Sequence, residues 1–217
     1  MPNREKIALG EYYHIYNRGS DKMLIFRNRN DLDRFFDSLT FFNSKKPIVS
    51  LREARNEENK KRNDRLVELV CYCLNPNHFH LLLKEISEGG ISEFMKRLCG
   101  GYTWYFNNKY RRSGNLFQGT FKSIRIESNE QLLHLGAYIN LNWKVHKISG
   151  LTAGKIRSSW EEYLGKSKEN ICAKEIILKQ FKSVKDYKNF TESSLEKILK
   201  IREEINKEEL FIGRHLF

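Results

Sequence analysis

Proline is nearly absent from this chain. It stands only at positions 2, 47 and 76 of 217 residues, and no glycine/serine/proline-rich linker divides the sequence. Cysteine is scarce too. Cys71, Cys73, Cys99 and Cys172 include no Cys-x-x-Cys pair and are too few for a disulfide framework in a chain of this length. Reduced thiols in a cytoplasmic protein are the expectation. No run approaches the ~18 apolar residues of a membrane span, and MPNREKIALGEYY lacks the apolar block of a signal peptide. The expected location is therefore the cytoplasm, with no membrane partner. No Gly-x-x-x-x-Gly-Lys-[Ser/Thr] phosphate loop occurs, and there is no long internal repeat.

The most informative absence is local. From Phe94 to Ile126 there is no Asp or Glu. That window holds Lys96, Arg97, Lys109, Arg111, Arg112, Lys122 and Arg125, interleaved with Tyr102, Trp104, Tyr105, Phe106, Tyr110, Phe117 and Phe121. Cations for phosphates beside aromatic faces for bases are what a single-strand-binding surface needs, although a helix here must also bury one face. The whole chain has 39 Lys/Arg against 27 Asp/Glu, a formal charge of +12, which favours a polyanionic partner. With 40% hydrophobic and 12% aromatic residues it is expected to fold.

The apolar pattern predicts an α+β protein. EYYHIYNR (11–18) reads as a strand, and Asn30 or Asp31 caps a helix carrying Leu32, Phe35, Phe36 and Leu39. Residues 51–65 read as a charged, solvated connection. LVELVCYCL and HFHLLLKE, separated by Asn75-Pro76-Asn77, read as a hairpin. A long helix from near Ile91, bent at Gly100-Gly101, then FKSIRIE (121–127) as a fourth strand, then a helix from Ser128 to about Val145 complete the series. Strand, helix, strand, strand, helix, strand, helix predicts a ferredoxin-like, four-stranded antiparallel sheet with its helices on one face. Residues 1–150 form this domain. Residues 151–217 hold 14 Lys/Arg and 11 Asp/Glu, carry only +3, and read as a helical extension without a recognisable motif.

Two features carry chemistry. In His78-Phe79-His80, alternate side chains of a strand share a face, so two imidazoles with Cα atoms about 7 Å apart can grip one ion. Tyr138 and Asn142, four apart on a helix, share a face; a phenol can be a nucleophile and an amide oxygen a hard metal ligand. His134, four before Tyr138, is a candidate to assist.

His-hydrophobic-His followed about sixty residues later by a helical tyrosine resembles the single-tyrosine HUH transposases. YYHIYNRG, LNPNHFHLLLK, YFNNKYRRSGNLFQGTFKS and LHLGAYINLN resemble the branch containing the REP-associated tyrosine transposases, over about residues 10–148. The resemblance implies a single-stranded-DNA endonuclease and strand transferase acting on hairpin or palindromic DNA. It implies Tyr138 as nucleophile, Mg²⁺ or Mn²⁺ held by His78, His80 and Asn142, and a site completed within one chain or across a homodimer. The family's Asn-Pro is here Asn142-Trp143, so the helix need not stop at that point.

Two other readings compete. One is a non-catalytic nucleic-acid-binding domain on the same sheet. The other is a structural Cys₂His₂ zinc site: a hairpin loop at 74–77 sets Cys73 opposite His78 and Cys71 opposite His80.

Overall fold

The first strand, β1 (Tyr12–Arg18), alternates strictly between the two faces of the sheet it enters. Tyr13 and Ile15 are buried on one face, and His14 and Tyr16 lie on the other. The computed structural model describes residues 7–46, 64–146 and 154–214, with side chains through Ile201. The charged connection expected at 51–65 falls almost wholly outside the described residues. Among those described, no helix is long and apolar enough to cross a membrane.

Helix α1 (Arg29–Phe41) begins at Asn28 rather than at Asn30 or Asp31. Asn28 accepts from the Asp31 backbone N–H, and the Asp31 carboxylate accepts from the Asn28 N–H, a reciprocal cap that closes the first turn. Strands β2 (Val67–Asn75) and β3 (His78–Glu85) form the expected hairpin. Its connection is only Pro76-Asn77, so Asn75 faces His78 and Cys73 faces His80. Helix α2 (Gly90–Tyr110) runs unbroken through Gly100-Gly101. A Cβ at Gly101 would come within 2.9 Å of the Phe42 ring, so glycine serves close packing there. The buried Glu85 carboxylate accepts from the Gly90 and Ile91 N–H groups, which fixes the helix start beside β3.

Strand β4 (Lys122–Arg125) precedes helix α3 (Asn129–Asn140), whose cap is Ser128 as expected. This helix stops at Leu141, and a separate short helix, α4 (Asn142–Val145), follows. Strand β5 (Arg157–Ser158), α5 (Trp160–Tyr163), α6 (Glu175–Leu178) and α7 (Val184–Arg214) complete the chain.

The architecture is α+β, with an antiparallel sheet in the order β4-β1-β3-β2-β5. The first four strands are the ferredoxin-like set. The fifth corrects the expected count: a two-residue strand was too short to leave an alternation signal. The helices also lie on both faces. Phe35 of α1 meets both Phe79 and Tyr102 of α2 over the face that carries Tyr13, Ile15 and Leu81. Helix α3 covers the opposite face, which carries His14, Tyr16 and His80. The part after residue 153 is integrated with the sheet. Ser159 Oγ accepts from the Tyr72 N–H, Tyr163 Oη donates to the Val70 carbonyl, and Tyr187 is buried in the same core.

Candidate active site

Pairing of β1, β3 and β2 brings chemistry to the face under α3. Tyr16 is opposite His80 on one side, and Cys73 is opposite His80 on the other. His14 Nε2 lies 2.8 Å from His80 Nδ1, with the rings stacked at 5.1 Å. The His78 and His80 rings stand nearly perpendicular at 5.2 Å. The Tyr138 ring, half-buried on α3, stands edge-on to His80 at 5.7 Å. Tyr16, His78, His80 and Tyr138 border a cavity of about 430 Å³ that also takes in Arg18, Lys22, Lys122 and His146.

The tautomer of His78 follows from its neighbours. Its Nδ1 is 2.7 Å from Asn77 Oδ1, an acceptor, so Nδ1 carries the proton. Its Nε2 then accepts from Asn75 Nδ2 at 2.9 Å. The same Asn75 amide donates to Asn142 Oδ1 at 2.6 Å. His78 Nε2 and Asn142 Oδ1, 3.3 Å apart, therefore converge on one hydrogen-bond donor. Asn142 is fully buried, and its Nδ2 has no partner. Burial lowers the pKa of His78 to about 4, helped by nearby His146 and opposed by the Asn142 hydrogen bond. Burial lowers His14 to about 4 as well, and His80 well below its ordinary value, with the neighbouring histidines adding to the effect. The imidazoles are therefore neutral, and their lone pairs are available.

His78, His80, Tyr138 and Asn142 are thus brought together, though Asn142 comes from α4 rather than from the helix of Tyr138. His134 points elsewhere: its Nδ1 is 3.2 Å from Ser194 Oγ and its ring lies on Phe190, both in α7. Of the seven candidate DNA-binding cations, Lys122 alone lines the cavity. Arg125 pairs with Glu11, Arg97 with Glu93 and Lys109 with the buried Asp31, while Arg112 donates to Asn107. Lys96 and Arg111 are exposed on α2 and at its end, across the sheet from the cavity. Sequence reasoning passed over His146, whose ring meets His78 at 4.7 Å, although it lies four residues after Asn142.

The zinc reading fails on register. The two-residue turn sets Cys71 opposite Leu82, so Cys73 opposite His80 is the one cysteine–histidine pair across the hairpin. Burial holds the Cys71 thiol well above its ordinary pKa and pushes Cys73 up to about 12, which keeps both protonated. Among the described residues, no group of three or more His, Cys, Asp or Glu side chains is placed to hold a metal ion.

Residues 50–142, which include both histidines, Tyr138 and Asn142, match the family model described as "Transposase IS200 like". The match covers less than half of the chain. No curated protein matches the chain. A solved structure described as the REP-associated tyrosine transposase bound to a REP hairpin aligns over 79% of this chain and 89% of its own, with 14% identity and a TM-score of 0.46. The matched segment takes in β2, β3, α2, β4, α3 and the first residue of α4, and leaves out His14, Tyr16 and His146 of the candidate site.

Proposed function

We propose that this protein is a metal-dependent endonuclease and strand transferase for single-stranded DNA, working through a 5′-phosphotyrosine. The observation that carries the reading is the placement of the Tyr138 ring against His80 in a cavity bordered by neutral histidines and three cations. The IS200-like match supports a transposase class of reaction. The hairpin held by the REP-associated neighbour is the substrate form we propose here, on the strength of the sequence resemblance.

The donor set fits a divalent ion. Two neutral imidazoles and an amide oxygen are ligands that Mg²⁺ or Mn²⁺ accepts, and three protein ligands leave positions for phosphate and water. His78 Nε2 and Asn142 Oδ1 already converge, and Asn142 is fully buried with an orphaned Nδ2. His78, His80 and Asn142 would hold the ion, which would supply Lewis-acid polarisation of the scissile phosphate.

Tyr138 Oη attacks phosphorus. One P–O bond forms to the tyrosine, the P–O3′ bond breaks, the phenolic proton passes to water, and the leaving 3′ oxygen gains a proton. One phosphodiester replaces another, so rejoining by a 3′-OH needs no external energy source. Arg18, Lys22 and Lys122 at the cavity rim neutralise the flanking phosphates.

Tyr138→Phe loses one half-buried hydroxyl and should fold as wild type. Wild type should form a covalent adduct with hairpin-flanked single strands in Mg²⁺ or Mn²⁺, visible on a denaturing gel, and Tyr138→Phe should form none. An adduct in the variant reassigns the nucleophile, and Tyr16, the other tyrosine lining the cavity, is next in line.

A further inference from the structure

A second cavity, of about 710 Å³, lies across the sheet from the catalytic one, between α2 and the segment 115–121. Its floor is open: a Cβ at Gly100 would meet nothing within 4 Å. Trp104, one helical turn further on, lines it and is 68% exposed. An indole so exposed leaves a flat apolar face open to an occupant.

The wall between the two cavities is one extended segment. Gln118 and Lys122 line the catalytic cavity, whereas Gly119, Thr120 and Phe121 line the groove. The wall is pinned to β1, since the Gln118 N–H donates to the Arg18 carbonyl and Asn17 Nδ2 donates to the Gly119 carbonyl. Asn17 borders both cavities. A strand leaving Tyr138 therefore has only this ridge to cross.

Charge selects the occupant. Neither lining contains an Asp or Glu, and together they carry Arg18, Lys22, Lys122 and Lys96. The Lys96 head is 80% exposed, and its ion pair with Glu93 is a long 3.8 Å, so a phosphate has only a solvated surface pair to compete with. A third cavity, of about 460 Å³ beside β5, differs: Glu161, Glu162 and Glu169 line it and offset Arg29, Arg157 and Lys168, so it has no excess of positive charge.

We propose that this groove is the binding site for an unpaired nucleotide of the substrate strand, its base stacked on Trp104 and its phosphate held by Lys96. The proposal rests on the single-stranded-DNA reading above. Thr103 and Asn115 offer donors and acceptors at the rim for the base edge. It also gives the acid-free window a function that the catalytic cavity does not, because Lys96, Gly100 and Trp104 all lie on the far face of the sheet.

The test uses the full chain and a hairpin oligonucleotide with single-stranded flanks. Stacking is worth ~1–3 kcal/mol per base, so Trp104→Ala should weaken binding about tenfold by fluorescence anisotropy, and Trp104→Phe should restore most of it. Because Trp104 is on the surface, the thermal melts should coincide. With 5-iodouracil scanned along the flanks, photocrosslinks at one position should map to Trp104 or Phe121. Equal affinity of Trp104→Ala and wild type, with crosslinks confined to the catalytic cavity, overturns the proposal and leaves the groove to a protein partner. Failure of the catalytic reading is distinct: it shows as no Tyr138 adduct, whatever Trp104→Ala does to binding.

Discussion

His80 has two ring nitrogens, and the structure commits one of them to His14 at 2.8 Å. Only one proton can sit in that contact. A lone pair on His80 Nε2 requires the proton on Nδ1, so His14 must accept it. A neutral histidine left to itself favours the other tautomer. In the proposed metal site His14 would be the positioning partner that metal-binding imidazoles ordinarily have. In metal-free protein, nitrogen-15 NMR should find His80 protonated at Nδ1. His14→Phe should move the proton toward Nε2 and weaken Mn²⁺ binding by about 10- to 100-fold. An unchanged tautomer in the variant removes His14 from this role. At this scale the sequence was readable where the geometry is local. His78 and His80 share a face because strands alternate, and Tyr138 follows from a helix. His14, Asn75 and His146 were not readable, since each depends on register or on a helix break that sequence spacing does not encode.

Helices α1 and α2 are joined by one buried charge. Asp31, wholly buried, caps α1 and also accepts from Lys109 Nζ at 2.6 Å, Tyr110 Oη at 2.6 Å and Tyr105 Oη at 3.1 Å. Burial alone raises its pKa, but the Lys109, Tyr110 and Arg27 hydrogen bonds outweigh that and hold it below the ordinary carboxylate value. The stability this gives is present above the unfolded pKa of about 3.9 and is lost as pH falls through the lower folded value. Urea midpoints should therefore drop below about pH 4 in wild type, and Asp31→Asn should flatten that drop while lowering the midpoint at neutral pH. A parallel pH profile in the variant would assign the acid sensitivity to another carboxylate. The same network explains why charge counting misled on Lys109. A lysine in an acid-free stretch looks free for phosphate until the fold brings an aspartate 78 residues away against it.

The whole molecule shows the clearest division between what was legible and what was not. The four longer strands, their order of elements and the long helices follow from alternation and helical spacing. Integration of the last third does not, because it runs through short pieces. Strand β5 spans two residues, and α5 and α6 span four residues each. Those pieces cover α3 from outside. Ile177 sits where a Cβ at Gly136 would approach to 2.7 Å, and Tyr187 Oη accepts from Asn140 Nδ2 at 2.7 Å. Ser159 Oγ donates to Asn140 Oδ1, and Phe190 stacks on His134.

A helix so enclosed by its own polypeptide is not easily lent to a neighbour. Tyr138 stands against His80 of its own chain, so the proposed chemistry would need no second molecule. Subunit complementation should therefore fail: Tyr138→Phe mixed with His80→Ala, co-refolded or co-expressed, should yield no more DNA adduct than either protein alone. Recovery of adduct in the mixture would mean that α3 leaves its cover of α6 and α7 and changes partners, and that these enzymes count themselves in pairs.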